Sequence, residues 1–300
     1  MILCCGEAVI DMIPRQGEAN VHKACPGGAA LNSAVALARL GEPVALLAGM
    51  SSDPFGQFLE GHLARNGVEL SHLARSDRPS TLAFAHIGEG GAQYSFYDVG
   101  SAGRMLQPED LPKPGAECKA LLFGGISLAA TPCGGSFEHY AEHHGADRVV
   151  MVDANIRPAL IEDAPAYRQR LLRMFALADI VKLSEEDLEW LGDETLNLLI
   201  AKTPLTLLTR GEQGATAWTR NGNAVTVPVS STKVADTVGA GDTFNAGMLS
   251  ELRSHGALRK DMLEDAPEHI LQDCLAFACK VARISVMRTG ADSPWRAELK

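Results

Sequence analysis

The chain has 300 residues, of which 46% are hydrophobic and 21% are charged, so a disordered or fibrous protein is excluded. Charged residues or prolines interrupt every apolar stretch before it reaches the roughly 18 residues needed to cross a membrane. The net charge of −10 argues against a nucleic-acid partner, which requires a basic surface. Nucleotide binding is still compatible with this net charge, because backbone amides and a metal ion can hold phosphates locally. The sequence therefore predicts a globular protein without nucleic-acid or membrane partners.

The seven cysteines are odd in number and include no Cys-x-x-Cys pair. They are too sparse for a disulfide scaffold, and zinc-ligand spacings are absent. Free thiols are typical of a reducing compartment, so a cytoplasmic protein is expected. At the N-terminus no positive segment precedes the apolar run, which Glu7 and Asp11 then break. This pattern indicates a first strand rather than a signal peptide.

Strand-like and helix-like segments alternate along the chain. The first strand is predicted at residues 2–10, followed by a helix at 28–40, a strand at 44–48 and a helix at 57–65. Further strands are predicted at 120–123, 149–153, 180–183 and 205–209, and helices dominate the chain after residue 242. Repeated strand–helix units predict a mostly parallel sheet that is covered by helices on both faces.

Two segments depart from this alternation. Residues 12–25 are polar and irregular, and residues 81–97 alternate like two half-buried strands joined by a turn at 88–91. They predict a small antiparallel β lid, inserted at about 12–25 and 80–103 into a single domain that spans residues 1–300. A lid of this size is too small to fold alone.

The glycine-rich string DTVGAGDTFNAG (236–247) follows a valine-rich strand predicted at 225–229 and opens a helical pattern. Gly239, Ala240 and Gly241 would turn the backbone tightly and present N–H groups at a helix N-terminus, which favours an anion. Asp242 lies in the first helical turn, where a carboxylate is suited to act as a general base in phosphoryl transfer. Taken without its neighbours, the turn is also compatible with an ordinary strand-to-helix connection capped by Asp242.

The complete string resembles the C-terminal signature of the ribokinase-like (PfkB) family of carbohydrate kinases. The segment CPGGAALNSAVALARLG (25–41) resembles the family's N-terminal signature, and the similarity extends over nearly the whole chain. The resemblance implies a ribokinase-like three-layer α/β/α core with a mostly parallel central sheet and a small antiparallel β lid. It also implies a phosphotransferase that uses ATP and magnesium to phosphorylate the primary hydroxyl of a sugar.

The resemblance assigns residues to the acceptor side of the site. Arg157, in the segment DANIRP (153–158), is expected to approach the transferred phosphate, because a guanidinium matches phosphate oxygens. Aromatic side chains of the lid can pack on the apolar face of a sugar. The residues expected to contact the sugar are Asp11, Gly27, Gly28, Asn32, Phe96 and Asn155.

On the nucleotide side, the resemblance implies contacts with ATP along the segments 182–191 and 207–215, at the glycine-rich turn and on the last long helix. The ATP-binding residues are expected to be Lys182, Thr209, Gly211, Gly214, Gly239, Gly241, Cys274 and Ala278. Asp187 stands where the family has a glutamate linked to magnesium, and we expect it to act through water. Asp236 resembles part of a loop that holds a monovalent cation such as K⁺ in some members.

The implied acceptor is a neutral monosaccharide, with the resemblance pointing to the bacterial fructokinase branch and to D-fructose, which would yield fructose 6-phosphate. Two cations near the acceptor side, Arg104 and Arg157, leave an acidic sugar such as 2-keto-3-deoxygluconate as an alternative. Ribose and nucleosides are further alternatives, and a sugar- or nucleotide-binding regulator without catalysis is the alternative from another class. Homodimers formed through the lid occur in relatives, so sugar, ATP and a second copy of the chain are the expected partners.

Overall fold

The structure is a computed structural model that describes residues 1–15, 17–18, 20–88 and 91–299. The strands are β1 Ile2–Cys5, β2 Val9–Pro14, β3 His22–Gly27, β4 Val44–Leu47, β5 Gly49–Ser51, β6 Ala74–Ser76, β7 Leu82–Gly88, β8 Gly91–Tyr97, β9 Ala120–Gly124, β10 Val149–Asp153, β11 Ile180–Ser184, β12 Leu205–Thr209, β13 Ala215–Thr219 and β14 Ala224–Val227. The helices are α1 Ala29–Arg39, α2 Pro54–Arg65, α3 Cys133–His144, α4 Ala164–Leu177, α5 Glu185–Leu191, α6 Glu194–Lys202, α7 Ala240–Ser254, α8 Lys260–Leu263 and α9 Glu268–Val286.

Eight strands form the central sheet, in the order β14-β13-β12-β11-β10-β9-β1-β4. The six strands from β12 to β4 are parallel, and β13 and β14 add an antiparallel edge. One hydrophobic cluster packs α1, α2, α7 and α9 against one face, and a second packs α3 to α6 against the other. The predicted three-layer core with a mostly parallel sheet is confirmed. Among the residues that the structure describes, no helix is long and apolar enough to cross a membrane.

A smaller sheet has the order β3-β2-β7-β8. Its outer pairs are antiparallel, as predicted, whereas β2 and β7 run parallel because each enters the sheet directly from the core. Residues 12–25, which were expected to be irregular, include the end of β2 and most of β3. Of the turn predicted at 88–91, residues 89 and 90 lie outside the described part of the chain.

The prediction of one strand over residues 2–10 is wrong. The chain leaves the central sheet after Cys5 and enters the small sheet at Val9. At Gly6, a side chain would lie 2.9 Å from the Cβ of Ala30, so the chain can pass α1 only without one. The break delivers Glu7 and Asp11 to the edge of the core.

Helix starts differ from prediction where a capping residue was overlooked. α2 begins at Pro54 rather than at residue 57, because the carboxylate of Asp53 accepts a hydrogen bond of 2.8 Å from the N–H of Gly56. The predicted strands at 149–153 and 205–209 agree with β10 and β12. The carboxyl ends of the parallel strands meet at the edge of the core that faces the small sheet.

Candidate active site

A cavity of about 1120 Å³ lies between the carboxyl ends of the central strands and the small sheet. Open parallel sheets bind ligands at this edge because the loops that follow the strands diverge there. The wall combines residues of the small sheet, the loops after β10, β11 and β12, the start of α7 and the end of α9. Residues from the β1–β2 connection and the start of α1 also belong to the wall, which includes Glu7, Asp11, Asn32, Phe96, Asn155, Arg157, Lys182, Glu186, Asp187, Thr209, Gly239, Gly241, Asp242 and Arg283.

Asp242 lies in the first turn of α7 with only 6% of its surface exposed. The side-chain amide of Asn32, from α1, donates a hydrogen bond of 2.9 Å to Asp242 Oδ2. Burial raises the pKa of Asp242 to about 7; the hydrogen bond from Asn32 opposes this rise, and the charges of Asp153 and Glu7 add to it. A carboxylate whose pKa lies near neutrality can accept a proton and release it again at physiological pH.

The turn before Asp242 requires glycine at its first position. Gly239 has a left-handed backbone with φ of 74°, and a Cβ there would lie 2.7 Å from the Cβ of Ala291. The conformation begins α7 at the cavity wall, where a helix dipole stabilises negative charge, and the N–H of Ala240 donates to the backbone oxygen of Thr237 at 3.2 Å. The structure therefore has a glycine turn beside a buried carboxylate at the position that the sequence predicts to bind an anion.

Asp11 lines the cavity from β2. Burial raises its pKa to about 6, and the nearby charge of Glu7 adds to the rise. Gly27, at the end of the neighbouring strand β3, has a different role from the sugar contact that was predicted for it. A Cβ at Gly27 would lie 2.1 Å from Asp11 Oδ2, and Gly27 does not line the cavity, so it admits the aspartate side chain rather than a ligand.

Gly28 does line the cavity, and its φ of 105° begins α1 in a conformation that favours glycine. A Cβ at this position would lie 2.6 Å from the backbone oxygen of Glu7. The close packing of residue 28 on residue 7 fixes where α1 begins. Asn32, one turn later, thereby reaches Asp242.

Glu7 is a site residue that the sequence reasoning missed, because it was considered only as an interruption of the apolar run. Its two carboxylate oxygens accept hydrogen bonds from the N–H of Ala29 at 2.9 Å and of Ser127 at 3.1 Å. A buried carboxylate therefore joins the start of α1 to the loop after β9. An acidic residue between two apolar segments, at the break that follows the first strand, is the signal that could have identified it.

Comparison with known proteins agrees with this geometry. Residues 1–298 match the description "pfkB family carbohydrate kinase". The chain belongs to this family. It is 43% identical to the fructokinase of Rhizobium leguminosarum bv. trifolii over 281 residues, which cover 91% of this chain and 86% of the relative.

Two solved structures of fructokinases share the kinase fold. The fructokinase of Xylella fastidiosa with bound ATP superimposes with a TM-score of 0.90 at 30% identity, covering 99% of this chain and 96% of that one. The fructokinase of Vibrio cholerae O395, in a form with bound fructose, ADP and calcium ion, gives a TM-score of 0.85 at 29% identity and covers 99% and 97%. The predicted ribokinase-like fold and carbohydrate-kinase family are confirmed.

Besides Gly239 and Gly241, four residues that are predicted to contact ATP lie in the cavity wall. Lys182, Thr209, Gly211 and Gly214 line the cavity. Gly214 has a φ of 96°, and a Cβ there would lie 2.0 Å from the backbone oxygen of Val227. Glycine at this position lets the loop after β12 fold back onto the end of β14.

The predicted contacts at Cys274 and Ala278 are wrong in position. Both side chains are buried, and a Cβ at Gly247 of α7 would lie 2.7 Å from the Cα of Ala278. These residues face the helix layer. The cavity is reached by a later part of α9, through Cys279, Ala282, Arg283 and Val286. The sequence placed the right helix at the site but the wrong face of it, because both faces of α9 are rich in small apolar residues.

The acceptor loop after β10 brings Asn155 and Arg157 to the cavity together with Phe96 of β8. Asn155 has a φ of 39°, a left-handed conformation that asparagine tolerates better than most residues. The guanidinium of Arg157 donates to the backbone oxygen of Ile156 at 3.0 Å and is exposed to the cavity. The three residues line the same cavity as Asp11.

Asp187 has its two carboxylate oxygens in protein hydrogen bonds. Oδ1 accepts from the N–H of Ile156 at 2.7 Å, and Oδ2 accepts from the N–H and hydroxyl of Ser184 at 2.7 and 2.9 Å. The aspartate thus caps α5 and fixes the acceptor loop. Its neighbour Glu186 is exposed and lines the cavity, a second site residue that the sequence reasoning missed.

Asp236 lies outside the cavity wall. Its carboxylate accepts hydrogen bonds from the N–H of Val238 at 3.0 Å and of Gly290 at 2.9 Å. The aspartate therefore ties the segment that precedes the Gly239 turn to the segment that follows α9. This link determines where the anion-binding turn begins.

Proposed function

We propose that the chain is an ATP-dependent fructokinase, which transfers a phosphoryl group from ATP to the primary hydroxyl of D-fructose and forms fructose 6-phosphate. The observation that carries the proposal is Asp242, a buried carboxylate with a pKa near 7 at the N-terminus of α7. The cavity of about 1120 Å³ has room for a sugar and a nucleotide together. The relatives at 43% and 30% identity are fructokinases, and that of Vibrio cholerae O395 is described with fructose and ADP bound.

In the reaction, the hydroxyl of the sugar attacks the terminal phosphorus of ATP and gives its proton to Asp242. The O–P bond to the acceptor forms while the bond to the leaving ADP oxygen breaks. The N–H groups at Gly239 and Gly241 stabilise the negative charge on the transferring oxygens. The N–H of Ala240, which the sequence also assigns to this role, donates instead to the backbone oxygen of Thr237 at 3.2 Å. Arg157 and Lys182 supply positive charge on the acceptor and donor sides.

The sugar is held by Asp11 and Asn155, whose side chains can accept and donate hydrogen bonds to hydroxyl groups. Phe96 packs against the apolar face of the ring, and Gly28 lines the wall beside it. Asn32 acts on the carboxylate of Asp242, to which it donates, and presents the base to the acceptor hydroxyl. Closure of the small sheet over the sugar would exclude water and limit ATP hydrolysis.

A neutral sugar suits the site better than 2-keto-3-deoxygluconate. Arg104 donates to both oxygens of Asp98 at 3.1 and 3.2 Å and to both oxygens of Glu162 at 2.8 Å. Two carboxylates already neutralise this arginine, and it is not part of the cavity wall. Of the cationic side chains that the structure describes in the cavity wall, which are Arg157, Lys182 and Arg283, Arg157 is the one on the acceptor side.

The cavity wall fits a magnesium–ATP complex through the exposed carboxylate of Glu186 and, through water, the capped carboxylate of Asp187. Carboxylate oxygens and water are the ligands that Mg²⁺ prefers. When bound, the ion supplies charge neutralisation at the phosphates. Thr209, Gly211 and Gly214 hold the nucleotide beside it.

A monovalent cation such as K⁺ would lie near Asp236, whose oxygens keep acceptor capacity beyond their single N–H contacts. By fixing residues 236–238, the cation would stabilise the turn at Gly239. Replacement of K⁺ by a large organic cation is then expected to lower the turnover number severalfold without unfolding the chain. Unchanged turnover would remove the cation from the proposal.

The proposal treats residues 1–300 as one cytoplasmic kinase domain with a β lid, because ATP is supplied in that compartment and all seven cysteines are free thiols. It includes a homodimer formed through the lid. Tyr97 and Val99, at the end of β8, are 63% and 87% exposed, and paired lids would cover them. Sedimentation of the wild type and of Val99→Asp tests this: loss of a dimer in the variant is expected, and a monomeric wild type would contradict it.

A coupled assay of ADP release with fructose, ribose, 2-keto-3-deoxygluconate, adenosine and fructose 6-phosphate tests the function. The highest kcat/KM is expected with fructose, and the release should require the sugar. A preference for another acceptor would replace the substrate while leaving the kinase assignment intact. Binding of sugar or nucleotide without release of ADP would instead favour a regulator.

A further inference from the structure

A buried ion pair lies directly behind the site, on two neighbouring strands. Asp153 ends β10 and Lys182 lies in β11, and the two residues are register partners in parallel strands, so their side chains leave the same face of the sheet. Lys182 Nζ is 3.2 Å from Asp153 Oδ1 and 3.5 Å from Oδ2. Only 2% of Asp153 and 4% of Lys182 are exposed, which demands partners for both charges.

A third residue joins this pair to the helix that carries the base. The side-chain amide of Asn245 donates a hydrogen bond of 2.7 Å to Asp153 Oδ2. Asn245 lies three residues after Asp242 in α7, and residues at this spacing share a face of the helix. Because a carboxylate can only accept, this contact fixes the orientation of the amide.

Although Lys182 is buried, it also lies at the wall of the cavity. A Cβ at Gly241 would lie 3.2 Å from Lys182 Nζ. The charge is therefore next to the backbone turn whose N–H groups bind the transferring oxygens in the proposed reaction. Asp153 is the carboxylate that bonds the ammonium directly and so holds it at this point.

We propose that Asp153 and Asn245 are positioning residues of the phosphoryl-transfer step, which hold the Lys182 ammonium against the Gly241 turn so that it faces the transferred phosphoryl group. The inference rests on the proposed kinase function and adds two residues to its machinery. Neither residue touches the substrate in this arrangement. Both act through Lys182.

The charges around Lys182 support this arrangement. Burial on its own lowers the pKa of Lys182, but Asp153, followed by Asp187 and Asp242, outweighs burial and leaves the pKa raised. These groups face the lysine from β10, α5 and α7, and Glu186 is a further charge on α5. Loss of Asp153 removes the nearest of them, so the ammonium would then deprotonate at a lower pH.

The main test uses Asp153→Asn in the full-length enzyme, assayed with fructose and magnesium–ATP. We expect kcat to fall about 10- to 100-fold while the KM for fructose changes less than about threefold. The variant should also lose activity at a lower alkaline pH than the wild type, because the Lys182 ammonium deprotonates more readily without Asp153. A purely structural role would lower stability without this shift of the alkaline limb.

Asp179→Asn is the matched control, because Asp179 is also a buried aspartate paired with a lysine, at the opposite end of β11. Its Oδ2 lies 2.6 Å from Lys260 Nζ and accepts from the N–H of Val150 at 2.8 Å. Asn245→Ala provides a second variant that keeps both charges should Asp153→Asn fail to fold. We expect Asn245→Ala to lower kcat about three- to tenfold, with KM unchanged.

The outcomes separate the inference from the function on which it rests. If the wild type phosphorylates fructose and both site variants match Asp179→Asn in kcat and pH profile, the inference is wrong and the kinase assignment stands. If the wild type releases no ADP with any sugar, the proposed function fails and the inference fails with it. Reduced kcat with the shifted alkaline limb in Asp153→Asn, absent from Asp179→Asn, supports the positioning role.

Discussion

Two aspartate–lysine pairs stand at opposite ends of the central sheet. Asp153 and Lys182 lie at the carboxyl end, where 6% of the lysine side chain is exposed, and Asp179 and Lys260 lie at the amino end, where 36% is exposed. At the amino end, the carboxylate also accepts the N–H of Val150, so the pair completes the pairing of the strand. At the carboxyl end, the ammonium adjoins the turn at Gly241.

The contrast shows that the role of an aspartate–lysine pair depends on the structure next to it, which is the Gly241 turn for one pair and the pairing of the strands for the other. The loops that follow parallel strands all lie at the carboxyl end of the sheet, and the start of α7 lies at that end. Changes at the carboxyl end should therefore act on turnover, and changes at the amino end should act on stability. The predictions that follow test this division, from the largest effect to the smallest.

Replacement of the base should have the largest effect. Asp242→Asn is expected to lower kcat about 10²- to 10⁴-fold while fructose still binds, because the variant cannot accept a proton. The same change should raise the thermal midpoint. A carboxyl group whose pKa is raised by folding destabilises the fold increasingly as the pH rises from its ordinary pKa of 3.8 to its folded pKa of about 7, and asparagine removes this cost at neutral pH. Steady-state kinetics and thermal melts measure both effects, and a near-normal kcat would contradict the assignment.

The sugar side should respond through binding. Asp11→Asn keeps the shape of the side chain but removes a charged hydrogen-bond acceptor that lines the cavity. We expect the KM for fructose to rise about 10- to 100-fold, in line with the strength of hydrogen bonds to charged groups. The KM for ATP should stay within about twofold. Equal changes in both KM values would show that Asp11 affects the whole cavity rather than the sugar.

The smallest effect on turnover should come from the amino end of the sheet. Asp179→Asn removes the partner of Lys260 and weakens a buried contact with the N–H of Val150. A loss of about 1 to 3 kcal/mol in the free energy of unfolding is expected, with kcat within about twofold of the wild type. Urea unfolding and the ADP assay measure the two quantities. A large loss of kcat in this variant would contradict the expectation that changes at the amino end of the sheet act on stability and not on turnover.

Much of this site was predictable because its chemistry is local in sequence. Gly239, Gly241 and Asp242 are neighbours in one turn, and a strand followed by glycines and a helix start requires no knowledge of the rest of the fold. The strands at 149–153 and 205–209 were predicted for the same reason: continuous apolar runs of that length are buried in parallel sheets.

Other features depend on contacts between distant parts of the chain. Glu7 gains its role only when α1 and the loop after β9 reach it, and Gly27 is explained by the side chain of Asp11 on the paired strand. Which face of α9 meets the cavity depends on its packing against Gly247, and periodicity alone did not distinguish the two faces. The neutralisation of Arg104 by Asp98 and Glu162 likewise needed the fold.

The pH dependence of kcat/KM for fructose, compared between the wild type and Asp242→Asn, is the most direct test that Asp242 is the base. The wild-type value should rise with pH and level off above about pH 7, because the carboxylate accepts the proton only when it is ionised. The residual kcat/KM of Asp242→Asn should lack the rise near pH 7 and keep only the rise near pH 6 that the ionisation of Asp11 causes. A variant that retains the rise near pH 7, or a wild type whose rate is constant from about pH 5 to about pH 8, would contradict the account.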